Sequence, residues 1–213
     1  MENILVAGAN GTTGKKIINL LKSSQYFNPI AMVRKKEQLD QFKSQDVDTV
    51  LADLTKDLTQ AIVGVDKVVF AAGSGGKNVV EVDQEGAKRL MAVSKMAKVK
   101  KFVMLSSMGA DTPEEVEGME DYMKAKQNAD HHLRESGLDY IIVRPGTLND
   151  TEGKGKIQLN EKLNKQGEIS RADVAQTLVR ALHDDAPNNT TFEILEGDTL
   201  IGEAMSEMNM SVS

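Results

Sequence analysis

Near its first residue the chain has an apolar run, Ile-Leu-Val-Ala at 4–7, that leads directly into glycines at regular intervals, Gly8, Gly11 and Gly14. A strand that is buried on both faces of a parallel sheet has a continuous apolar sequence of this kind. A glycine at its end permits a sharp turn that a side chain would obstruct. The run therefore predicts a strand, a tight turn and a helix over about 12–22.

Each glycine of this turn has a separate task in a dinucleotide-binding site. Gly8 makes the turn, Gly11 lets the backbone approach a pyrophosphate, and Gly14 lets the helix pack against the strand. The free N–H groups and the dipole of the helix start then face the anion. A simple tight turn is the alternative, but the position between a strand and a helix favours nucleotide binding. The cofactor-binding residues predicted here are Gly8, Asn10, Gly11, Thr12, Thr13 and Gly14.

Short apolar runs alternate with amphipathic ones along the rest of the chain, which is typical of βαβ units. We predict an α/β fold of the Rossmann type, with a doubly wound parallel sheet of about seven strands. We expect one domain, 1–213, with a small C-terminal appendage, and a loop or small hairpin over the site at 146–168. The predicted strands are 4–7, 30–33, 49–52, 68–71, 102–106, 140–144 and 191–195. The predicted helices are 13–22, 37–44, 58–63, 79–98, 120–135 and 170–183.

Composition excludes several classes of function. The 213 residues are 40% hydrophobic, enough for one substantial core. A net charge of −6 argues against a nucleic-acid-binding surface. The chain has no cysteine for disulfides or thiolate metal sites. The adjacent His131 and His132 would point in different directions on a helix, so no metal site is expected.

Targeting signals are also not evident in the sequence. We see neither a secretory signal before the first strand nor an apolar run near the roughly 20 residues that a membrane span needs. We therefore expect a cytoplasmic protein that acts on a small molecule, without nucleic acid or membrane, as a monomer or homodimer.

The end of the second predicted strand bears on the choice of cofactor. Sites for NAD place a carboxylate there to accept a ribose 2′-hydroxyl. This chain has Arg34 followed by two lysines instead. A guanidinium group can bind a 2′-phosphate through two parallel hydrogen bonds. We therefore favour NADP(H) over NAD(H), although a solvated basic start to the next helix is the alternative.

Two further strand ends are expected at the same crevice, because ligands of open α/β sheets bind at the carboxyl ends of strands. After the third strand, the Asp53 carboxylate is suited to accept a hydrogen bond from the adenine amino group. After the fourth, small residues let the backbone approach the cofactor. The predicted cofactor-binding residues at these ends are Asp53, Leu54, Ala71, Ala72 and Gly73.

Candidate catalytic residues follow the fifth predicted strand. Tyr122 and Lys126 are spaced i, i+4 on a predicted helix and so share one face. An ammonium group near a phenol favours the phenolate, which makes Tyr122 a candidate proton donor and acceptor. A hydroxyl of Ser106 or Ser107 could hold the substrate oxygen. A surface pair is the alternative explanation of the Tyr122 and Lys126 spacing.

These motifs together resemble an atypical short-chain dehydrogenase/reductase. The glycine turn, Tyr122, Lys126 and the Arg-Pro-Gly sequence at 144–146 carry the resemblance, which covers nearly the whole chain. A narrower similarity is to NmrA-like, flavin/biliverdin-reductase-like and small bacterial epimerase-like proteins. The resemblance implies that Tyr122 is catalytic and that Lys126 also binds the nicotinamide ribose. It further implies that Ser107, rather than Ser106, polarises a substrate carbonyl and that Pro145 borders the nicotinamide.

Three functions remain open from the sequence. The first is an NADP-dependent oxidoreductase that transfers hydride to or from a small carbonyl, alcohol or conjugated substrate. The second is an epimerase-like enzyme with tightly held cofactor, although the short stretch after Gly146 leaves little room for a nucleotide-sugar domain. The third is a protein that senses NADP(H) without turnover.

Overall fold

Seven parallel strands form the centre of the fold in the computed structural model, which describes residues 1–212. The central strands have the buried apolar runs that are predicted for a sheet covered on both faces. The seven parallel strands are β1 (Glu2–Ala7), β2 (Phe27–Val33), β3 (Asp48–Leu51), β4 (Lys67–Phe70), β5 (Lys101–Leu105), β6 (Tyr140–Pro145) and β10 (Thr190–Glu196).

Four shorter strands were not predicted. They are β7 (Thr147–Asn149), β8 (Lys156–Asn160), β9 (Glu168–Ser170) and β11 (Thr199–Leu200). The main sheet has nine strands in the order β11-β8-β10-β6-β5-β4-β1-β2-β3, and β7 pairs with β9 in a separate sheet. The expected count of about seven is therefore too low. The seven predicted strands form the parallel part of the sheet. Strands β8 and β11 extend this part by antiparallel pairing.

The described residues form six α-helices, of which the first five lie between strands and the sixth follows the last strand. They are α1 (Thr12–Lys22), α2 (Lys36–Lys43), α3 (Gly86–Met96), α4 (Glu120–Glu135), α5 (Arg171–Arg180) and α6 (Ile201–Val212). A π-helix, Val79–Glu85, runs directly into α3. The helices lie on both faces of the sheet, because the core consists of two separate clusters of buried residues.

Successive residues of β1 show how the sheet divides this core. Ile4 and Val6 belong to the cluster that contains buried residues of α1, α5 and α6. Leu5 and Ala7 belong to the cluster that contains buried residues of α3 and α4. All four side chains are fully buried. Side chains alternate between the faces of a strand, so an unbroken apolar run supplies both layers of a doubly wound fold.

Two predicted helices differ from the observed structure. The interval 58–63 forms turns, one of which is held where Asp57 Oδ1 accepts a hydrogen bond from Thr59 N at 2.9 Å. Leu58 and Ile62 have helical spacing and are buried, but so short a segment cannot offset the cost of helix nucleation. The predicted helix 79–98 is divided into the π-helix and α3.

The interval 146–168, for which a loop or small hairpin was expected, contains β7 and β8. Its strand β8 alternates polar residues with Ile157 and Leu159, and Leu159 pairs with Ile194 of β10. This antiparallel pairing brings β8 into the main sheet. In the described part of the chain, none of the helices combines the length and apolar character required to cross a membrane.

Candidate active site

The glycine turn between β1 and α1 is closed too tightly for side chains. Gly8 has φ +87°, and a Cβ atom there would lie 2.6 Å from the carbonyl oxygen of Ala71. A Cβ atom on Gly14 would lie 2.1 Å from the carbonyl oxygen of Gly8. Gly11 N donates a hydrogen bond to Gly8 O at 2.9 Å. The strand, the turn and the helix therefore pack as the glycine spacing predicts.

The start of α1 is open to an anion. No side-chain hydrogen bond caps the helix at Gly11, and its first turn contains no acidic residue. The first hydrogen bond of the helix runs from Lys15 N to Gly11 O. The N–H groups of Thr12 and Thr13 precede it and lack intrahelical partners by position. Such a helix start binds phosphate groups through its N–H groups and its dipole.

A cavity of about 500 Å³ lies beside this turn, at the carboxyl ends of β1 to β4. Most of the predicted cofactor residues line it, namely Gly8, Asn10, Gly11, Arg34, Asp53, Leu54, Ala71, Ala72 and Gly73. Further lining residues include Gln38, Ser74, Lys77, Asn78 and Val82. Four separated segments of the chain thus meet where the glycine turn predicted a ligand.

The remaining predicted cofactor residues lie outside the lining of this cavity: Thr12, Thr13, Gly14, Lys126 and Pro145. Gly14 packs against Gly8, where there is no room for a Cβ atom. Pro145 is buried at the end of β6, and its carbonyl oxygen accepts a hydrogen bond from Met108 N at 3.0 Å. That bond joins the end of β6 to the loop that carries Ser107.

Arg34 and Asp53 face the cavity from β2 and β3. The Arg34 side chain is exposed, and its backbone N–H donates to Gln38 Oε1 at 3.2 Å. Asp53 Oδ1 accepts hydrogen bonds from the backbone and hydroxyl groups of Thr55, both at 2.9 Å. The bond from the Thr55 backbone, with the charge of Arg34 as a smaller cause, holds the pKa of Asp53 below its usual range. Asp53 is therefore a carboxylate at neutral pH.

Tyr122 and Lys126 lie on one face of α4. Tyr122 is half-buried, whereas Lys126 is 4% exposed. Lys126 Nζ lies 5.5 Å from the centre of the Tyr122 ring and donates to Leu105 O at 3.3 Å. It also lies 3.8 Å from Asp83 Oδ1. The lysine is thus held between the phenol, the end of β5 and the π-helix.

The two serines after β5 have different surroundings. Ser106 is buried, and its hydroxyl donates to Asp130 Oδ2 at 2.9 Å. Arg144 Nε and Nη2 donate to the same oxygen at 3.0 and 2.9 Å. Ser107 is half-buried, and its hydroxyl donates to Met108 O at 3.1 Å. Ser106 therefore belongs to a buried ionic group, while Ser107 is the serine nearer to solvent.

Burial raises the pKa of Asp130, and the charge of Arg144 opposes this shift. Arg144 Nη1 also lies 3.5 Å from Asp111 Oδ1. Lys162 pairs with Asp111 and lies 3.6 Å from Glu193 Oε1. These ion pairs connect α4, β6, β10 and the loop after β8.

Asp83 is the functional candidate that the sequence prediction missed. It lies in the π-helix, and its side chain is fully buried. Asp83 Oδ2 accepts a hydrogen bond from Ser74 N at 3.0 Å. Asp83 Oδ1 and the buried Ser74 hydroxyl oxygen have no hydrogen-bond partner in the described structure. A π-helix often occurs at functional sites, but the run Val-Val-Glu-Val-Asp in the sequence gives no sign that its aspartate is buried.

The arrangement fits a dinucleotide. The open start of α1 suits a pyrophosphate. Ser74 lines the cavity, and its hydroxyl, which has no hydrogen-bond partner in the described structure, could bond to a ribose hydroxyl group. Arg34 supplies a cation at the end of β2. Among the described residues, no group of three or more His, Cys, Asp or Glu side chains is placed to hold a metal ion.

A second cavity, of about 640 Å³, lies at the β8 and β11 side of the sheet. It is open to solvent and lined by polar residues such as Lys156 and Asp198. None of the predicted site residues lines it.

Comparisons with known proteins agree with the glycine turn and the cavity. An NAD(P)H-binding family model matches residues 8–185. An uncharacterized sugar epimerase of Bacillus subtilis is 35% identical over 96% of this chain and 99% of its own length.

Two solved structures are also similar. One, from Bacillus halodurans, is assigned by name to the NAD-dependent epimerases/dehydratases. It has a TM-score of 0.92 at 34% identity and covers 97% of this chain and 100% of its own. The other is an oxidoreductase from Lactococcus lactis, with a TM-score of 0.87 at 31% identity. It covers 97% of this chain and 96% of its own. The chain therefore belongs to the NAD(P)H-binding family and has a Rossmann-type fold.

Proposed function

We propose that the protein is an NADP-dependent oxidoreductase that transfers hydride to or from a small carbonyl, alcohol or conjugated substrate. The observation that carries this proposal is a continuous series of contacts from the cofactor cavity to a phenol. Ser74 lines the cavity and bonds to Asp83. Asp83 pairs with Lys126, whose ammonium group lies over the Tyr122 ring. A proton donor is thus connected to the place where the cofactor would bind.

Each side chain has one role in this proposal. NADP(H), when bound, supplies or accepts the hydride. During reduction of a carbonyl, Tyr122 donates its phenolic proton to the substrate oxygen as the hydride reaches the carbon. Lys126 stabilises the phenolate that remains. Ser107 donates a hydrogen bond to the same substrate oxygen. Oxidation of an alcohol reverses these steps.

The preference for NADP rests on Arg34, which lines the cavity and carries an exposed guanidinium group. We expect NADPH to bind more tightly than NADH in a fluorescence titration, and Arg34→Ala to abolish the difference. Lys35→Ala is the matched control, because Lys35 is adjacent and exposed but does not line the cavity. An unchanged preference in Arg34→Ala would overturn the assignment of NADP.

The role of Tyr122 is tested by Tyr122→Phe against a panel of small aldehydes, ketones and quinones. We expect NADPH binding to be retained and kcat to fall by about 100-fold or more. Tyr26→Phe is the control, because Tyr26 is exposed and packs against His183, away from the cavity. Unchanged turnover of every accepted substrate by Tyr122→Phe would contradict catalysis by this residue.

The names of the relatives favour a second candidate, epimerisation through transient oxidation. This mechanism uses the same Tyr122 and Lys126 pair. It predicts that cofactor stays with the protein through purification and that no NADPH is consumed. Steady loss of NADPH absorbance during turnover would instead support the oxidoreductase.

A protein that senses the redox state of NADP without turnover is the remaining alternative. Such a protein must bind NADP and NADPH with different affinities, because a ligand shifts a conformation only by that difference. Equal affinities would exclude sensing. The Tyr122 and Lys126 pair favours catalysis, since a sensor does not require it.

A further inference from the structure

We propose that Lys77 binds the pyrophosphate of the dinucleotide from the side of the glycine turn opposite Arg34. This inference rests on the dinucleotide part of the proposed function and is independent of the preference for NADP. Arg34 follows β2 and Lys77 follows β4, while the glycine turn follows β1 between them. The anion expected at the start of α1 therefore has a cavity-lining cation on each side.

The Lys77 side chain is available for such a contact. It is exposed, and it has no hydrogen bond or ion pair within the described structure. Nearby Lys88 and Lys126, by contrast, already pair with Glu85 and Asp83. Lys77 therefore faces the cavity without an internal counter-ion.

The backbone before Lys77 has a left-handed conformation at two successive glycines. Gly75 and Gly76 have φ +63° and +82°, and a Cβ atom on either would meet nothing within 4 Å. No steric contact therefore requires glycine at these two positions. Their positive φ angles are what favours glycine there. The segment that carries Lys77 is held on each side, because Ser74 N bonds to Asp83 and the π-helix begins at Val79.

The charge of the pyrophosphate is the reason that a cation on the β4 side, in addition to Arg34, would favour binding. The chain carries a net charge of −6, and a dinucleotide pyrophosphate carries two negative charges. The only acidic side chain that lines the described cavity is Asp53, which lies on the β3 side, beyond Arg34. Arg34 lies on the β2 side of the turn, so on the β4 side the pyrophosphate would otherwise depend on the helix start alone. Lys77 adds a full charge on the β4 side of the turn.

The test is a calorimetric titration with ADP-ribose, which has the pyrophosphate but lacks a 2′-phosphate. We expect Lys77→Met to weaken ADP-ribose binding by about tenfold, the value of one hydrogen bond to a charged group. The same factor should apply to NADH and NADPH, so the preference between them stays unchanged. Lys77→Arg should retain most of the affinity, because it retains the charge. Lys56→Met is the matched control, since Lys56 is exposed but does not line the cavity.

The outcomes separate this inference from the proposed function. If Lys77→Met binds ADP-ribose like the wild type while Arg34→Ala removes the preference for NADPH, the role of Lys77 is refuted and the NADP site stands. If Lys77→Met weakens ADP-ribose binding but Arg34→Ala has no effect, the pyrophosphate contact stands and the assignment of NADP fails. A larger loss for NADPH than for ADP-ribose would place Lys77 at the 2′-phosphate and would also refute the inference.

Discussion

Lys126 Nζ lies 3.8 Å from Asp83 Oδ1, and the two side chains are 5% and 0% exposed. The pair joins α4 to the π-helix. Because Asp83 also accepts the Ser74 N–H, the same carboxylate shapes one wall of the cofactor cavity. A single buried ion pair therefore connects the proposed acid–base residue with the proposed cofactor site.

Asp83→Asn should destabilise the fold, because it leaves a buried ammonium group without a counter-charge. We expect the free energy of unfolding to fall by about 3 kcal/mol in urea denaturation. The double variant Asp83→Asn with Lys126→Met removes both charges and should recover part of this loss, although turnover should stay low. Equal stability of the single variant and the wild type would show that the pair contributes nothing to folding.

Gly14→Ala should disrupt the turn. Its Cβ atom would lie 2.1 Å from Gly8 O, so α1 must move away from β1, at a cost of about 3 kcal/mol. Thermal denaturation should show a lower Tm, and NADPH binding should weaken. Gly202→Ala in α6 is the control, because a Cβ atom there meets nothing within 4 Å and alanine favours a helix. If Gly14→Ala and Gly202→Ala changed the Tm and NADPH binding to the same extent, close packing at Gly14 would be contradicted.

Ser106→Ala and Ser107→Ala should have different effects. Ser107→Ala removes the proposed donor to the substrate oxygen, so we expect kcat to fall by about 100-fold with little change in Tm. Ser106→Ala removes a buried donor to Asp130, which should lower stability by about 1 kcal/mol. The reverse pattern would assign the substrate contact to Ser106.

The stability of the protein should rise with pH above about 8 because of Lys101. Burial, together with the nearby charge of Lys67, lowers the pKa of Lys101 from 10.5 to about 8. Between these two values the unfolded chain binds a proton that the folded chain does not, so raising the pH favours the folded state. Urea denaturation at about pH 7 and pH 10 should show wild-type stability increasing relative to Lys101→Met. Lys124→Met is the control, because Lys124 is exposed, and its stability should change with pH in the same way as that of the wild type. If the stability of Lys101→Met also followed the wild type, the lowered pKa of Lys101 would be refuted.

The parallel part of the sheet could be predicted because its signal is local. A strand covered on both faces needs a continuous apolar run, and all seven runs form strands. The predicted helix 120–135 has the same bounds as α4. By contrast, β8 has only Ile157 and Leu159 as apolar residues, and its strand conformation depends on β10, a partner distant in the sequence.

The candidate site was predictable to a similar extent. The glycine turn and the strand ends belong to a fingerprint with fixed spacing, so most of the cavity lining could be named in advance. Asp83 and Ser74 acquire their roles only when the π-helix packs against α4. The choice between Ser106 and Ser107 depends on Asp130, whose position under β5 no local pattern reveals.

The main sheet ends in short strands at both edges. At one edge β11 has two residues, and at the other β3 has four, with Asp48 exposed at its start. Unpaired backbone on long edges is what allows sheets of different molecules to join. Short edges of this kind disfavour edge-to-edge growth of the main sheet between copies of the protein.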